Sequence, residues 1–283
     1  MKVPENTLPD GDLQFLRDLV YRSTGVVIDE HKSYLVVTRL HGLLQEEEFG
    51  SVGELVGSLR RSPTGRLKER FIESMVTTET SFFRDPRTFE VLAGEVLPDL
   101  VSRRRGQCRL NIWSAACAAG QEAYSLAILL REQVKLTSEW TVSLIASDFS
   151  DRVVERARSG LFTHFEVNRG MPTPYLIRHF DEAGLKFQVK EPLRNSIRFF
   201  RLNLTEAWPE VPTQDLILLR NVLIYFDLDT RRRILGKIRR LLRPDGYLLL
   251  GSAETTVGID PGFEPFFRAG TVFFRPRTEG GSS

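Results

Sequence analysis

Apolar positions in the first 75 residues recur at helical spacing. Leu13, Phe15, Leu16, Leu19 and Val20 form one stripe, and Tyr34, Leu35, Val37, Leu40, Leu43 and Leu44 form another, the periodicity of amphipathic helices. Ser51 stands just before VGELVGSLR, with Glu54 three residues on, which predicts a capping box. After Arg109 the pattern changes. The runs RLNIWSA, TVSLIASD and DLILLRNV are followed by helical stretches over 121–134, 152–158 and 230–242, and GYLLLGSAE is a fourth apolar run. That rhythm predicts an α/β fold, a doubly wound and mostly parallel sheet with helices on its faces. GTVFFRP has no helix after it and is expected to close the sheet antiparallel. Between Gly160 and Arg198 the alternation breaks, and GLKFQVKEPLRNSIRFF reads as a hairpin-bearing insertion.

The domain reading follows from these changes of period. A helical N-terminal domain occupies 1–75, a linker 76–90, and the α/β domain 91–277, with a small β insertion at 161–198 and a polar, glycine-rich flexible tail at 278–283. The chain has no apolar run of about 18 residues, and its first residues lack the basic-then-apolar order of a signal peptide, so a cytoplasmic protein is expected rather than a membrane protein. Cys108 and Cys117 are too few for a disulfide framework, and His31, His41, His164 and His179 have no metal-binding spacing; no metal is expected. The net charge of +2 gives no general drive toward nucleic acid. Basic residues nevertheless cluster in RRSPTGRLKER, RRR at 103–105 and RRRILGKIRRLLR, as solvated helix faces or as contacts for an acidic partner.

Ligands of open parallel sheets bind beyond the carboxyl ends of the strands, so the residues there matter most. The first strand runs into Ala115, Ala116, Cys117, Ala118, Ala119 and Gly120. Side chains this small admit a ligand against the backbone and the next helix's N-terminus, or reflect close strand–helix packing. With only Gly120 as glycine the turn is not a dinucleotide fingerprint, which argues against nicotinamide and flavin cofactors. The second strand ends in ASDFS, where Asp148 is placed to accept both hydroxyls of a ribose, or to cap the next helix. A small-residue turn with an acid at the second strand end suits a nucleoside without phosphates, such as S-adenosylmethionine, whose ammonium group Glu122 is placed to hold.

Taken with TTETSFFRD (77–85), RLNL (201–204) and LRNVLIYFD (219–227), the stretches WSAACAAGQEAYS and ASDFS make the chain resemble, over nearly its whole length, the chemotaxis receptor glutamate methyltransferases of the CheR type. The resemblance implies a class I methyltransferase-like fold and an enzyme that uses S-adenosylmethionine, leaving S-adenosylhomocysteine, to esterify side-chain glutamates on chemoreceptor cytoplasmic helices. It places cofactor contacts at Thr78, Thr80, Arg84, Ala116, Glu122, Asp148, Asn203, Leu204, Arg220 and Asn221, with Arg84 on the cofactor carboxylate and Tyr225 nearest the transferred methyl. The family usually carries Asn where this chain has Thr78, and a hydroxyl offers fewer bonds than an amide. Phe82 and Phe83 read as packing. The insertion at 161–198 matches a β-subdomain that in some members holds a receptor C-terminal peptide, and RRSPTGRLKER and Arg39 are the candidate docking patch in an N-terminal stretch of net charge −3 over 1–85 (11 Lys and Arg against 14 Asp and Glu). The competing readings are a methyltransferase for another protein or a small molecule, and a cofactor-binding sensor or scaffold. LRNV is not the loop that amino methylation of a nucleic-acid base needs.

Overall fold

The computed structural model describes residues 8–62, 64–134 and 137–277; the tail at 278–283 lies outside them. The chain divides into two compact units, one of residues 1–77 with 225–230 and the other of residues 78–224 with 231–283.

The first unit is helical, with α1 (Asp10–Thr24), α2 (Ser33–Glu46), α3 (Val52–Arg61) and α4 (Arg66–Met75). Its core takes Leu16, Leu19 and Val20 from α1 and Val36, Leu40 and Leu43 from α2. The α2 stripe is rotated from the expected one, because Val36, Leu40 and Leu43 share a face at i, i+4 and i+7 while Tyr34 is 63% exposed. Ser51 caps α3, its side chain accepting the Glu54 N–H at 3.2 Å, but the return bond goes one residue further than a capping box requires: Glu54 Oε2 accepts from Gly50 N–H at 3.0 Å. The unit also recruits a distant piece of chain. Val26 pairs antiparallel with Phe226, Val27 N–H donates to the Tyr225 carbonyl at 2.8 Å, and the Tyr21 hydroxyl donates to Asp227 at 2.8 Å.

The second unit follows the strand–helix rhythm. Its elements are α5 (Pro86–Val91), α6 (Leu97–Arg104), β1 (Arg109–Ala115), α7 (Gln121–Glu132), β2 (Thr141–Asp148), α8 (Asp151–Ser159), β3 (Leu161–Thr163), α9 (His164–Asn168), α10 (Thr173–His179), β4 (Phe180–Ala183), β5 (Lys186–Val189), α11 (Glu191–Arg194), β6 (Ile197–Arg201), β7 (Gln214–Leu219), α12 (Leu228–Leu241), β8 (Leu242–Leu250), β9 (Phe263–Arg268) and β10 (Thr271–Pro276); α12 begins in the chain segment assigned to the first unit. A seven-stranded sheet has the order β6-β2-β1-β7-β8-β10-β9. The strands from β6 to β8 are parallel, and β10 is antiparallel to both β8 and β9. GTVFFRP thus turns antiparallel as expected, but the edge belongs to FEPFFR, which pairs with it. Every residue of β7 is buried, as is β1 after Arg109, which is why both read as continuous apolar runs rather than alternating ones. Helix α7 is buried along almost its whole length.

The insertion is smaller than its expected range of 161–198. Its three-stranded antiparallel sheet has the order β3-β5-β4, and Ile197 and Arg198 already belong to the main sheet, paired in β6 with Leu144 and Ile145. IRFF resembles a hairpin strand because an edge strand carries the same half-buried alternation in either setting.

At the amino ends of the central strands a buried ion network ties the sheet to α6. Asp215, fully buried, lies 2.5 Å from Arg104 Nε and 3.1 Å from Arg243 Nε, and accepts the Asn111 N–H at 2.8 Å. Arg104 also forks onto both oxygens of Asp245 at 2.8 and 2.5 Å. Removing one partner from such a set leaves buried charge uncompensated. Asp215→Ala is therefore expected to cost roughly 3–5 kcal/mol of folding free energy in chemical denaturation, whereas Asp245→Ala, at a carboxylate that is 43% exposed, costs far less.

Candidate functional site

The sheet reverses its winding beside β1. From β1 the chain proceeds outward to β2 and then β6, and later returns to place β7 on the other side of β1. The carboxyl ends of β1, β2, β6 and β7 therefore open on one crevice, the switch point where α/β sheets hold ligands. Ala116, Glu122, Asp148, Asn203, Leu204, Arg220 and Asn221, far apart in sequence, all follow those ends.

The turn after β1 is held in an unfavourable conformation. Ala116, Ala118 and Gly120 have φ of 56°, 48° and 92°, a region that L-residues with a Cβ avoid. It is fixed from β2: Ala118 N–H donates to Asp148 Oδ2 at 2.8 Å, and Cys117 N–H donates to the Ser147 carbonyl at 2.9 Å. The small residues are not all small for a ligand's sake. A Cβ on Gly120 would stand 3.0 Å from the Ala157 Cβ and 3.3 Å from the Phe199 ring, so α8 and β6 exclude it. Cys117, Ala118 and Ala119 are buried as well, and Ala116 is the turn residue that stays half-buried.

Asp148 is 8% exposed. Burial pushes its carboxyl pKa up, and the N–H groups of Ala118, Ser150 and Phe149 oppose this by bonding the ionised form. With the N–H groups of Ala118 on Oδ2 at 2.8 Å and of Phe149 on Oδ1 at 2.9 Å, and that of Ser150 also bonding the carboxylate, about one of its four acceptor sites is left for a further donor. Its own carbonyl accepts from Leu202 N–H at 2.8 Å, which brings the end of β6 alongside. There the Asn203 side chain is engaged in its own turn, accepting from the Thr205 N–H and hydroxyl at 3.1 and 2.9 Å and donating to Glu206 at 3.0 Å. Leu204 is buried, and its carbonyl accepts from Trp208 Nε1 at 3.2 Å and Lys237 Nζ at 3.1 Å.

On the β7 side, residues expected as separate contacts form one clamp. The Arg220 side chain, 2% exposed, donates to Glu122 Oε2 at 3.1 Å, Asp85 Oδ2 at 2.5 Å and the Arg84 carbonyl at 3.1 Å. Glu122 Oε1 accepts the Ser114 hydroxyl at 2.8 Å. Arg220 thus pins 84–85 to the first helix turn of α7, and Phe83 N–H adds a bond to Ser125 Oγ at 2.9 Å. Phe82 is wholly buried, edge-on to Phe162 and Phe180 at 4.9 and 5.7 Å; both phenylalanines are packing. The half-buried Arg84 guanidinium has no hydrogen bond or ion pair among the described residues, nor do the side chains of Thr78, which is exposed, and Thr80, which is half-buried.

Asn221 takes a φ of 59°, and its Oδ1 is buried without a hydrogen-bond partner among the described residues, as is Gln121 Oε1. The residue missed by sequence reasoning is Glu254, whose carboxylate binds backbone N–H groups of the turn after β7. The strand-end rule pointed to it, since GSAE follows the fourth apolar run just as ASDFS follows the second. Tyr225 belongs to the helical unit, where its carbonyl meets Val27. In that unit the expected basic patch is partly paired: Arg60 bonds the Gly11 carbonyl and Asp12, Arg70 pairs with Glu46 and Glu47, and Arg66 stands 4.0 Å from Glu47, while Arg39 bonds the neutral Met75 carbonyl and Thr77 hydroxyl.

Two family profiles cover the chain, "CheR methyltransferase, all-alpha domain" over residues 11–76 and "CheR methyltransferase, SAM binding domain" over residues 78–268. The chemotaxis protein methyltransferase Cher2 of Pseudomonas putida KT2440 is 34% identical across 88% of this chain and 91% of its own. Chemotaxis protein methyltransferase 1 of Pseudomonas aeruginosa PAO1 is 37% identical across 87% and 90%. Among solved structures, TrmN from Thermus thermophilus aligns over 68% of this chain and 53% of its own at 16% identity, with a TM-score of 0.38. With the helical unit and the S-adenosylmethionine-binding unit both matched, the chain belongs to the CheR methyltransferase family.

Proposed function

We propose that this protein transfers a methyl group from S-adenosylmethionine to side-chain carboxylates of glutamates on chemoreceptor cytoplasmic helices, forming glutamyl methyl esters. The observation that carries the reading is the match, over both units, to relatives named chemotaxis protein methyltransferase. The residues at the strand ends fit such a cofactor. An adenosine and an ammonium group are rich in donors, and the crevice offers acceptors: the remaining site of Asp148 and the unpartnered Oδ1 of Asn221 and Oε1 of Gln121. Arg84, which makes no hydrogen bond or ion pair among the described residues, is assigned to the cofactor carboxylate, as a fork. Glu122, already shared with Ser114 and Arg220, keeps lone pairs for the ammonium group.

When bound, S-adenosylmethionine supplies a methyl on a sulfonium, passed to the acceptor as the new O–C bond forms and the C–S electron pair returns to sulfur. No proton moves, because a glutamate with an ordinary pKa of about 4.3 is already ionised at neutral pH. The protein therefore needs no general base, and its task is to align the reacting groups and exclude water, where positioning is worth on the order of 7–11 kcal/mol. Of the RRSPTGRLKER segment, Arg61, exposed and without an ion pair or hydrogen bond among the described residues, is the clearest residue left for docking acidic receptor surface. Each ester would remove one negative charge from a receptor helix, enough to bias a two-state signalling element.

Labelled methyl transfer to the organism's own receptor cytoplasmic fragments tests the proposal. Label released as methanol by mild base is expected, and stable label or none would overturn it. Asp148→Ala is expected to weaken S-adenosylhomocysteine binding by about tenfold or more, the loss of one charge-assisted bond. Because burial raises the Asp148 pKa, cofactor affinity should fall on acidification at a higher pH than an exposed aspartate of about 3.9 would dictate, and Asp148→Asn should abolish that dependence in calorimetric titrations. The effect on folding has the opposite sign, since a carboxyl that holds its proton more tightly when folded loses stability as pH rises through the same window.

A further inference from the structure

The turn after β7 carries Arg220 and Asn221 to the crevice, and it has little to hold it. Asn221 is left-handed, and the chain then enters a single 3-10 turn at Leu223–Tyr225. The first N–H groups of any helical turn lack partners within it. Here one side chain from the neighbouring strand end supplies them. Glu254, half-buried, follows β8 in a turn closed by its own N–H to the Gly251 carbonyl at 2.9 Å. Its Oε2 accepts from the N–H of Asn221 and of Gly251, each at 2.7 Å, and its Oε1 accepts from the N–H of Leu223 at 2.7 Å and of Ile224 at 3.4 Å. Four donors fill the acceptor sites of an ionised carboxylate, and a negative charge suits the start of a helical turn. The fit requires glycine at 251, where a Cβ would stand 2.6 Å from Asn221 Nδ2, 2.7 Å from Glu254 Oε2 and 2.8 Å from Asn221 N.

We infer that Glu254 is a positioning residue of the cofactor site, acting through Asn221: its carboxylate fixes the left-handed turn that leaves Asn221 Oδ1 buried and free to accept from the bound cofactor. This rests on the reading that the strand ends hold S-adenosylmethionine. The acceptor sites of Glu254 are taken by backbone N–H groups, so its action on the cofactor runs through the turn. Glutamine is the informative replacement, because it keeps the shape but turns one acceptor into a donor facing backbone N–H groups.

The experiment measures S-adenosylhomocysteine affinity by calorimetry for the native protein, Glu254→Gln, Asn221→Ala and the double variant, with amide hydrogen exchange on the native and Glu254→Gln proteins. Glu254→Gln is expected to bind about tenfold more weakly and to exchange the Asn221, Leu223 and Gly251 amides faster. In the Asn221→Ala background the same change should cost almost nothing further, a coupling that a general loss of stability would not produce. Unchanged affinity in folded Glu254→Gln, or losses that simply multiply in the double variant, would overturn the role of Glu254 alone. If the native protein binds no S-adenosylhomocysteine, the cofactor reading fails first and the inference with it. Should Glu254→Gln not fold, Glu254→Asp, which keeps the charge but shortens its reach to the turn, enters the same cycle, and the same two outcomes in the Asn221→Ala background decide.

Discussion

The crevice depends on a carboxylate that spends its charge on backbone. Asp148, at the end of β2, accepts the N–H of Ala118 from the neighbouring turn and of Phe149 from its own. Through the first bond it holds a turn whose alanines would otherwise leave their left-handed conformations. Burying that charge is costly, as the raised pKa records, and the bonds from Ala118, Ser150 and Phe149 offset part of the cost. Much of the crevice floor on the β2 side is built outward from this one group, since its carbonyl also receives the end of β6 through Leu202.

The β7 side repeats the device with a different acid. Glu254 fills the orphan donors of a short helical turn, while the buried Arg220 bridges Glu122 and the exposed Asp85 in a chain of alternating charge. Two carboxylates thus shape backbone on either side of β1, and a guanidinium ties the linker down between them. Rigidity of this kind suits a reaction in which no proton is transferred. With the acceptor already ionised and the methyl already activated, the rate rests on geometry and dryness rather than on a tuned base.

Much of this was legible in the sequence because it follows from period and from strand-end chemistry. The change from helical to strand–helix rhythm, the parallel sheet, the antiparallel GTVFFRP and the acids Asp148 and Glu122 beyond the strand ends were accessible that way, while Arg220 came from the family resemblance. Other readings went astray for identifiable reasons. IRFF was assigned to the insertion because an edge strand alternates whether it pairs within a hairpin or in the main sheet. The smallness of Gly120 was left open between a ligand and close packing, and Ala157 and Phe199, remote in sequence, decide it in favour of packing. Glu122 and Arg220 were expected to meet the cofactor independently, since nothing in their spacing reveals that they meet each other.

The sequence by itself determined which elements form and which chemical groups stand at their carboxyl ends, because both are local properties of residue type and periodicity. Only the tertiary structure decided how those groups are engaged: which acid props a turn, which arginine is locked between carboxylates, which one keeps its guanidinium free, and which amide oxygen lacks a partner. Those are questions of distance between atoms remote along the chain. Charge and hydrogen bonding act over a few ångströms, and no pattern of neighbours in sequence encodes that separation.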